Sequence, residues 1–83
     1  MVFRKLEIEF GSVLKKISAL PYPARFFIVQ ALQFFAGTPP DLREKYYRLE
    51  HGAFEIGVGD IGRLLVDVDE KEQVVEVLDF MSF

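Results

Sequence analysis

"EIGVGDIGRLLVDVD", residues 55–69, holds the decision about the fold. Inside it, Gly57 to Gly62 spells G-x-G-x-x-G, the letters of the dinucleotide-binding fingerprint. In that fingerprint the glycines join a strand to a helix, and the helix N-terminus holds a pyrophosphate. Here the last glycine is followed by "RLLVDVD". Leu64, Val66 and Val68 fall on one side of an alternating pattern, and Leu65 and Asp67 on the other, which is the period of a strand. Without a helix start there is no anion site, and too little chain remains for a βαβ unit with its neighbours. The stretch therefore reads as a hairpin. Gly59-Asp60 makes the turn, and Gly57 and Gly62 let the strands bend or bulge.

The same logic extends outward. "AFEIGV" places Phe54, Ile56 and Val58 on one face, and "QVVEVLDF" is β-branched and apolar on both faces, with "DEKE" as a second hairpin loop. At the other end, "VFRKLEIEF" alternates Leu6, Ile8 and Phe10 with Lys5, Glu7 and Glu9, so a first strand is expected there. Ser12 can cap a short helix carrying Val13, Leu14, Ile17 and Leu20. "LPYP" breaks it, and Pro23 suits the first turn of a second helix, "ARFFIVQALQFFAG". That helix shows Phe27, Ile28, Ala31, Leu32, Phe34 and Phe35 over a broad face, so it should be nearly engulfed by its own sheet or by another chain. Gly37 should end it in a left-handed conformation. "TPPDLREKYYRLEHG" is either a short helix capped by Thr38, with Glu44 and Arg48 paired one turn apart, or a long ordered loop ending at Gly52. The expected class is α+β, a small antiparallel sheet in the order β-α-α-β-β-β with a helical hairpin packed on one face, and residues 1–83 form one domain.

Composition narrows the function. A chain of 83 residues with no cysteine has neither disulfides nor thiolate metal sites, so its core must come from a composition that is 51% hydrophobic and includes nine Phe. No apolar run approaches the ~20 residues of a membrane span, and the N-terminus has no secretion-type apolar segment, so a cytoplasmic protein without membrane contact is expected. The net charge of −3 is unevenly spread. Residues 1–49 carry eight Lys/Arg against four acids, whereas residues 50–83 carry Arg63 and Lys71 against nine. Such a balance suits nucleic acid poorly, because neutralised phosphates supply most of that affinity, and suits a basic partner segment better. The plainer reading of the acids is a solvated face.

Few residues carry reactive chemistry. "DVDEKE", residues 67–72, spaces two acids like a calcium loop, but Glu72 stands where the loop needs glycine and Leu78 where it needs glutamate. His51 is the only histidine, so no His-based metal cluster or Cys–His pair is available, and neither a metal nor a small-molecule cofactor is expected. Arg63 is the only cation within the last three strands. It either pairs with Asp60 or Glu55 or serves as the phosphate-binding and catalytic group of a site on the sheet. Lys45, Tyr46, Tyr47 and Arg48 interleave cations and aromatics, which suits RNA stacking and phosphate contact, or else they form a packed loop with salt bridges. The apolar end, Phe80, Met81 and Phe83, calls for a covering partner surface.

Residues 46–80, "YYRLEHGAFEIGVGDIGRLLVDVDEKEQVVEVLDF", resemble the RelE/ParE toxin superfamily of toxin–antitoxin systems. Members typically show a segment ending in "RL" or "KL", a strand, "VGDYR" or similar, a strand like "VIYEVD", a turn and a "VVVVL" strand. "RLEHG", "EIGVGDIGRLLVDVD" and "VVEVLDF" follow that order, and "LKKISALP" fits the helical hairpin. The resemblance implies an antiparallel sheet with a helical hairpin, and an antitoxin that wraps the toxin. RelE-type members cut mRNA on the ribosome, using cations and often a tyrosine, and ParE-type members inhibit DNA gyrase. Arg63 stands where RelE-type proteins carry the arginine of "GDYR". Glu55 and Gly57 stand where lysines are usual on the preceding strand, and the chain stops at Phe83 where an arginine and tyrosine would follow. RNA cleavage needs cations for the developing phosphorane charge and a positioned base. The expectation is thus a toxin module that works by binding an antitoxin-like protein or a second copy of itself, degenerate as a nuclease. The alternatives are an active ribosome-dependent mRNA-cleaving toxin using Arg63, and a structural homodimer unrelated to toxins.

Overall fold

The computed structural model describes residues 4–83; Val2 and Phe3, the start of the expected first strand, lie outside the described residues. The elements run β1 (Glu7–Glu9), α1 (Val13–Ser18), α2 (Tyr22–Ala36), α3 (Pro40–Tyr46), β2 (Arg48–Glu50), β3 (Ala53–Val58), β4 (Gly62–Asp69) and β5 (Val74–Ser82). The strands form one five-stranded sheet in the order β1-β5-β4-β3-β2. The α+β class and the β3–β4–β5 meander are as the sequence predicts, and the sheet adds two features. β1 runs parallel to β5, with Ile8 opposite Val75, because the chain enters β2 antiparallel to β1 and three further reversals bring β5 back to its direction. Alternation identifies a strand but not its neighbour.

The second feature is β2 itself, which lies in the segment left open between helix and loop. α3 ends at Tyr46, so Arg48 does not pair with Glu44 along a helix. It stands opposite Glu55 in a hairpin, and its Nε lies 3.5 Å from Glu50 Oε2. The hairpin turns on His51 and Gly52, both left-handed at φ 53° and 81°, the geometry of a two-residue type I′ turn. Pro39, not Thr38, precedes α3, and the Thr38 hydroxyl donates to the Phe34 carbonyl at 2.8 Å. Gly37 is not left-handed either, at φ −88°. α2 stops because Pro39 and Pro40 lack amide protons and disfavour helical dihedrals in the residues before them. Ser12 holds the cap position of α1 but makes no side-chain cap bond. The turn before the helix supplies the acceptors, Phe10 and Gly11 carbonyls for the Val13 and Leu14 amides.

The core lies between the helices and one face of the sheet. α2 contributes Ile28, Leu32 and Phe35, α1 Val13 and Ile17, the segment before β1 Leu6, and the strands Ile56, Val58, Leu64, Val66, Val75, Val77 and Phe80. Each large side chain so buried contributes about 1.5–3 kcal/mol of transfer free energy. Phe80 reaches the core through a bulge. Leu65 faces Asp79 but Val66 faces Val77, so Leu78 is the unpaired extra residue of β5. That residue reverses the inward–outward alternation, which is why "VVEVLDF" looks apolar on both faces. The bulge therefore sits on β5 and not at Gly57 or Gly62. Gly57 pairs regularly with Arg63, and a methyl added there would meet open space. At Gly62 it would lie 2.3 Å from the Met81 carbonyl oxygen and 2.9 Å from the Phe80 ring, so Gly62 serves close strand packing. The turn pair is as expected, with Gly59 left-handed at φ 52° and the Ile61 amide bonded to the Val58 carbonyl.

α2 is not engulfed. One side of it packs on the sheet, and Tyr22, Phe26, Phe27, Val29 and Phe34 face solvent, as does Leu14 of α1.

Candidate functional site

The face of the sheet away from the helices carries the charged side chains. Directly opposed residues in a ladder share a face. Arg63 is therefore grouped with Gly57 and Met81, and Arg48 with Glu55. Arg63 Nη1 donates to Glu55 Oε1 at 2.9 Å, one of the two carboxylates named for it from sequence. Glu50, Asp67, Asp69, Glu76 and Asp79 occupy the same face by register. Asp67, Glu76 and Glu9 oppose one another in a row across β4, β5 and β1, an arrangement of like charges with no cation between them. On β2 to β5 this face thus presents two arginines, each beside a carboxylate, amid further acids. Asp79 is held below the ordinary carboxylate range, chiefly by the Lys16 ammonium bonded to it at 3.0 Å and also by the Phe80 amide.

The four residues suggested for RNA contact separate in space. Lys45 and Tyr46 are exposed at the end of α3, and Arg48 lies on β2. Tyr47 is half-buried, its ring edge-on to Phe35 at 4.9 Å between centroids. It is held by packing and offers no free stacking surface. The C-terminal residues separate as well. Phe80 is fully buried, Met81 half-buried, and Phe83 lies 78% exposed with its amide bonded to the Ile61 carbonyl. Only Phe83 of the three is a free apolar surface. His51 is exposed in its turn, and no group of three or more His, Cys, Asp or Glu among the described residues could hold a metal ion. Nor is any helix among them long and apolar enough to cross a membrane.

One residue was not singled out in the sequence. Arg43 of α3 is 3% exposed and pairs with Glu70 of the β4–β5 loop, while its Nε and Nη2 are buried without partners. The pair ties α3 to a loop whose shape comes from Asp69, which accepts the Lys71 and Glu72 amides at 3.1 Å each. "LREKYY" offers no cue to this, since a charged residue in a polar run usually lies in water.

The architecture has counterparts among solved structures. A chain of the toxin–antitoxin complex RelBE2 from Mycobacterium tuberculosis superimposes with a TM-score of 0.70 at 19% identity, over 96% of this chain and 100% of that one. A chain of the archaeal RelE–RelB complex from Pyrococcus horikoshii OT3 gives 0.71 at 19% identity, over 95% and 96%. No protein-family model and no curated protein matches the sequence. The chain thus has the fold of the RelE toxins, as the resemblance in residues 46–80 implies, and at this identity the likeness is one of fold.

Proposed function

We propose that this chain is a RelE-like toxin module, a single domain whose principal activity is protein binding, with a cognate antitoxin as its partner and with little capacity to cleave RNA. The observation that supports this most is the open sheet face. Phosphoryl-transfer chemistry on RNA needs unpaired cations aimed at the developing negative charge. Here Arg63 is engaged by Glu55, Arg48 lies beside Glu50, and the acids around them repel a phosphate backbone. The exposed aromatic and aliphatic side chains of α1 and α2, by contrast, form the kind of contiguous apolar surface that a partner covers. Two of the solved structures that share the fold are a toxin–antitoxin complex and a RelE–RelB complex.

Two experiments separate this from an mRNA-cleaving toxin. Purified protein incubated with translating ribosomes should leave mRNA intact, and Arg63→Ala should make no difference. Cleavage by the wild type that disappears in Arg63→Ala would establish the nuclease reading instead. Co-expression with the product of any small reading frame found beside its gene should yield a stable one-to-one or two-to-two complex. A chain that stays alone, or pairs only with itself, would remove the antitoxin from the account.

A further inference from the structure

We propose that the free edge of β2 pairs with the same edge of a second copy of this chain, joining two five-stranded sheets into one of ten strands. This surface lies away from the apolar helices, and the proposal stands apart from the antitoxin reading. Among the described residues, β1 and β2 are the two edges of the sheet. An edge strand carries backbone donors and acceptors without partners, and charges on it often guard against pairing. β2 consists of Arg48, Leu49 and Glu50, all exposed.

Backbone phase fixes the register. In a hairpin closed by the two-residue turn His51-Gly52, the flanking pair Glu50 and Ala53 exchange ladder bonds, and the next pair, Leu49 and Phe54, does not. The amide and carbonyl of Leu49 therefore point away from β3. The Tyr47 amide, two residues back and in the same phase, donates to the Arg43 carbonyl at 2.8 Å. That bond on one side and the turn at His51 on the other centre the free edge on Leu49. An antiparallel second copy, related by a twofold axis, then sets Leu49 against its own equivalent, each amide donating to the other's carbonyl.

Charge selects a second copy as the occupant. In that register Arg48 faces the second copy's Glu50, and Glu50 faces its Arg48. Within one chain these two already share a face, with Arg48 Nε 3.5 Å from Glu50 Oε2, so the pair can re-form across the axis as two attractions. The other edge pairings fail. β1 against itself sets Glu7 against Glu9, which is four carboxylates in a row of opposed positions. β1 against β2 sets one acid against Glu50 for each acid it sets against Arg48. A parallel β2 pair sets arginine against arginine. On the opposite face, Leu49 is 44% exposed beside Phe54 and gains its own equivalent as an apolar neighbour. Three residues from each chain bury well under the ~1,200 Å² of stable complexes, so the dimer is reversible and concentration-dependent. A two-to-two complex would hold two edges close together and favour it.

The test is analytical sedimentation of the full chain over about 5–500 µM, where a monomer–dimer equilibrium should appear. Arg48→Glu and Glu50→Arg should each weaken the dimer at least tenfold, because each leaves the seam with charges of one sign. Mixed one to one, the two variants should regain it, since the acids of one then meet the arginines of the other. That recovery also shows that both variants fold. Deuterium exchange at the Leu49 amide should slow as concentration rises, while exchange at Ile8 on the β1 edge stays unchanged. A wild type that is monomeric throughout would overturn the proposal. So would single variants that dimerise as well as the wild type, or a mixture that stays monomeric. A dimer that Phe26→Asp dissolves would place the contact on α2 and overturn it too.

Discussion

Replacing Gly62 by alanine should unfold the protein at markedly lower temperature, and replacing Gly57 should not. The two glycines belong to the same six-residue string, and a nucleotide-binding loop would need both. In the structure their surroundings are opposite. A Cβ at Gly62 would lie 2.3 Å from the Met81 carbonyl oxygen, a backbone atom that cannot rotate away, and 2.9 Å from the buried Phe80 ring. Overpacking of this kind costs about 1–3 kcal/mol, and the rigid neighbour puts Gly62→Ala near the upper end. Separating β4 from β5 there also weakens the Gly62–Ser82 pairing, at about 1 kcal/mol per hydrogen bond. Removing a glycine from a strand returns about 0.5–1 kcal/mol. The net loss is roughly 3 kcal/mol, or about 12–24 °C in Tm for a domain of this size. Gly57→Ala meets nothing within 4 Å and keeps only the gain, so its Tm should hold or rise by a few degrees. Scanning calorimetry with urea melts decides the matter, with and without millimolar ATP or NAD. Similar melting of both variants within a few degrees of wild type would refute the packing account. A rise in Tm with nucleotide, lost in both variants, would restore the fingerprint.

Two further outcomes follow from the ion pairs. The Asp79 carboxyl titrates lower in the folded chain than in the unfolded one, where its value is about 3.9. Its stabilisation is therefore complete above that pH and is lost as pH falls through the folded value. Lys16→Met should lower the plateau above about pH 4 slightly and flatten the acid limb below it by the same small amount, because this exposed pair is screened by solvent. An unchanged acid limb would show that Lys16 does not set the Asp79 titration. For Arg43, exchange to methionine removes two unpartnered buried nitrogens and leaves Glu70, 59% exposed, to water, so it should be neutral or mildly stabilising, whereas Glu70→Gln leaves the guanidinium uncompensated and should destabilise by about 1–2 kcal/mol, less than a fully buried pair. Urea denaturation in which Arg43→Met is the weaker of the two variants would contradict this ordering.

The parts of the fold written as periodicity were legible from residues alone. Leu64, Val66 and Val68 alternate as read, and Ile56 and Val58 face the core with them. β2 was not legible, since "RLE" is three exposed residues with no buried face to imprint a pattern. The signal present was "HG", a pair able to take two left-handed conformations in a row. Leu78 could not be identified as a bulge without its partner strand, because only register shows that two residues oppose one. Gly37 was misread because glycine after a helix usually means a left-handed cap, and here the prolines behind it end the helix first. On the sheet face, Arg63 and Glu55 could be paired from sequence because their strands are joined by a short hairpin. Arg43 could not, because its partner lies 27 residues away on a loop whose position depends on the whole sheet.

The parallel placement of β1 against β5 sets an order of events during synthesis. Glu7 pairs with Val74, so the first strand must wait for chain made 67 residues later. At ribosomal speeds of about 5–20 residues per second that is roughly 3–13 s. The helices have only local bonds to make and can form during the interval, but Ile8 has no ladder to join until β5 emerges. For those seconds the nascent chain offers apolar side chains and an unpaired strand that another segment could capture. A partner able to bind α1 and α2 early would meet this protein before it had finished becoming itself.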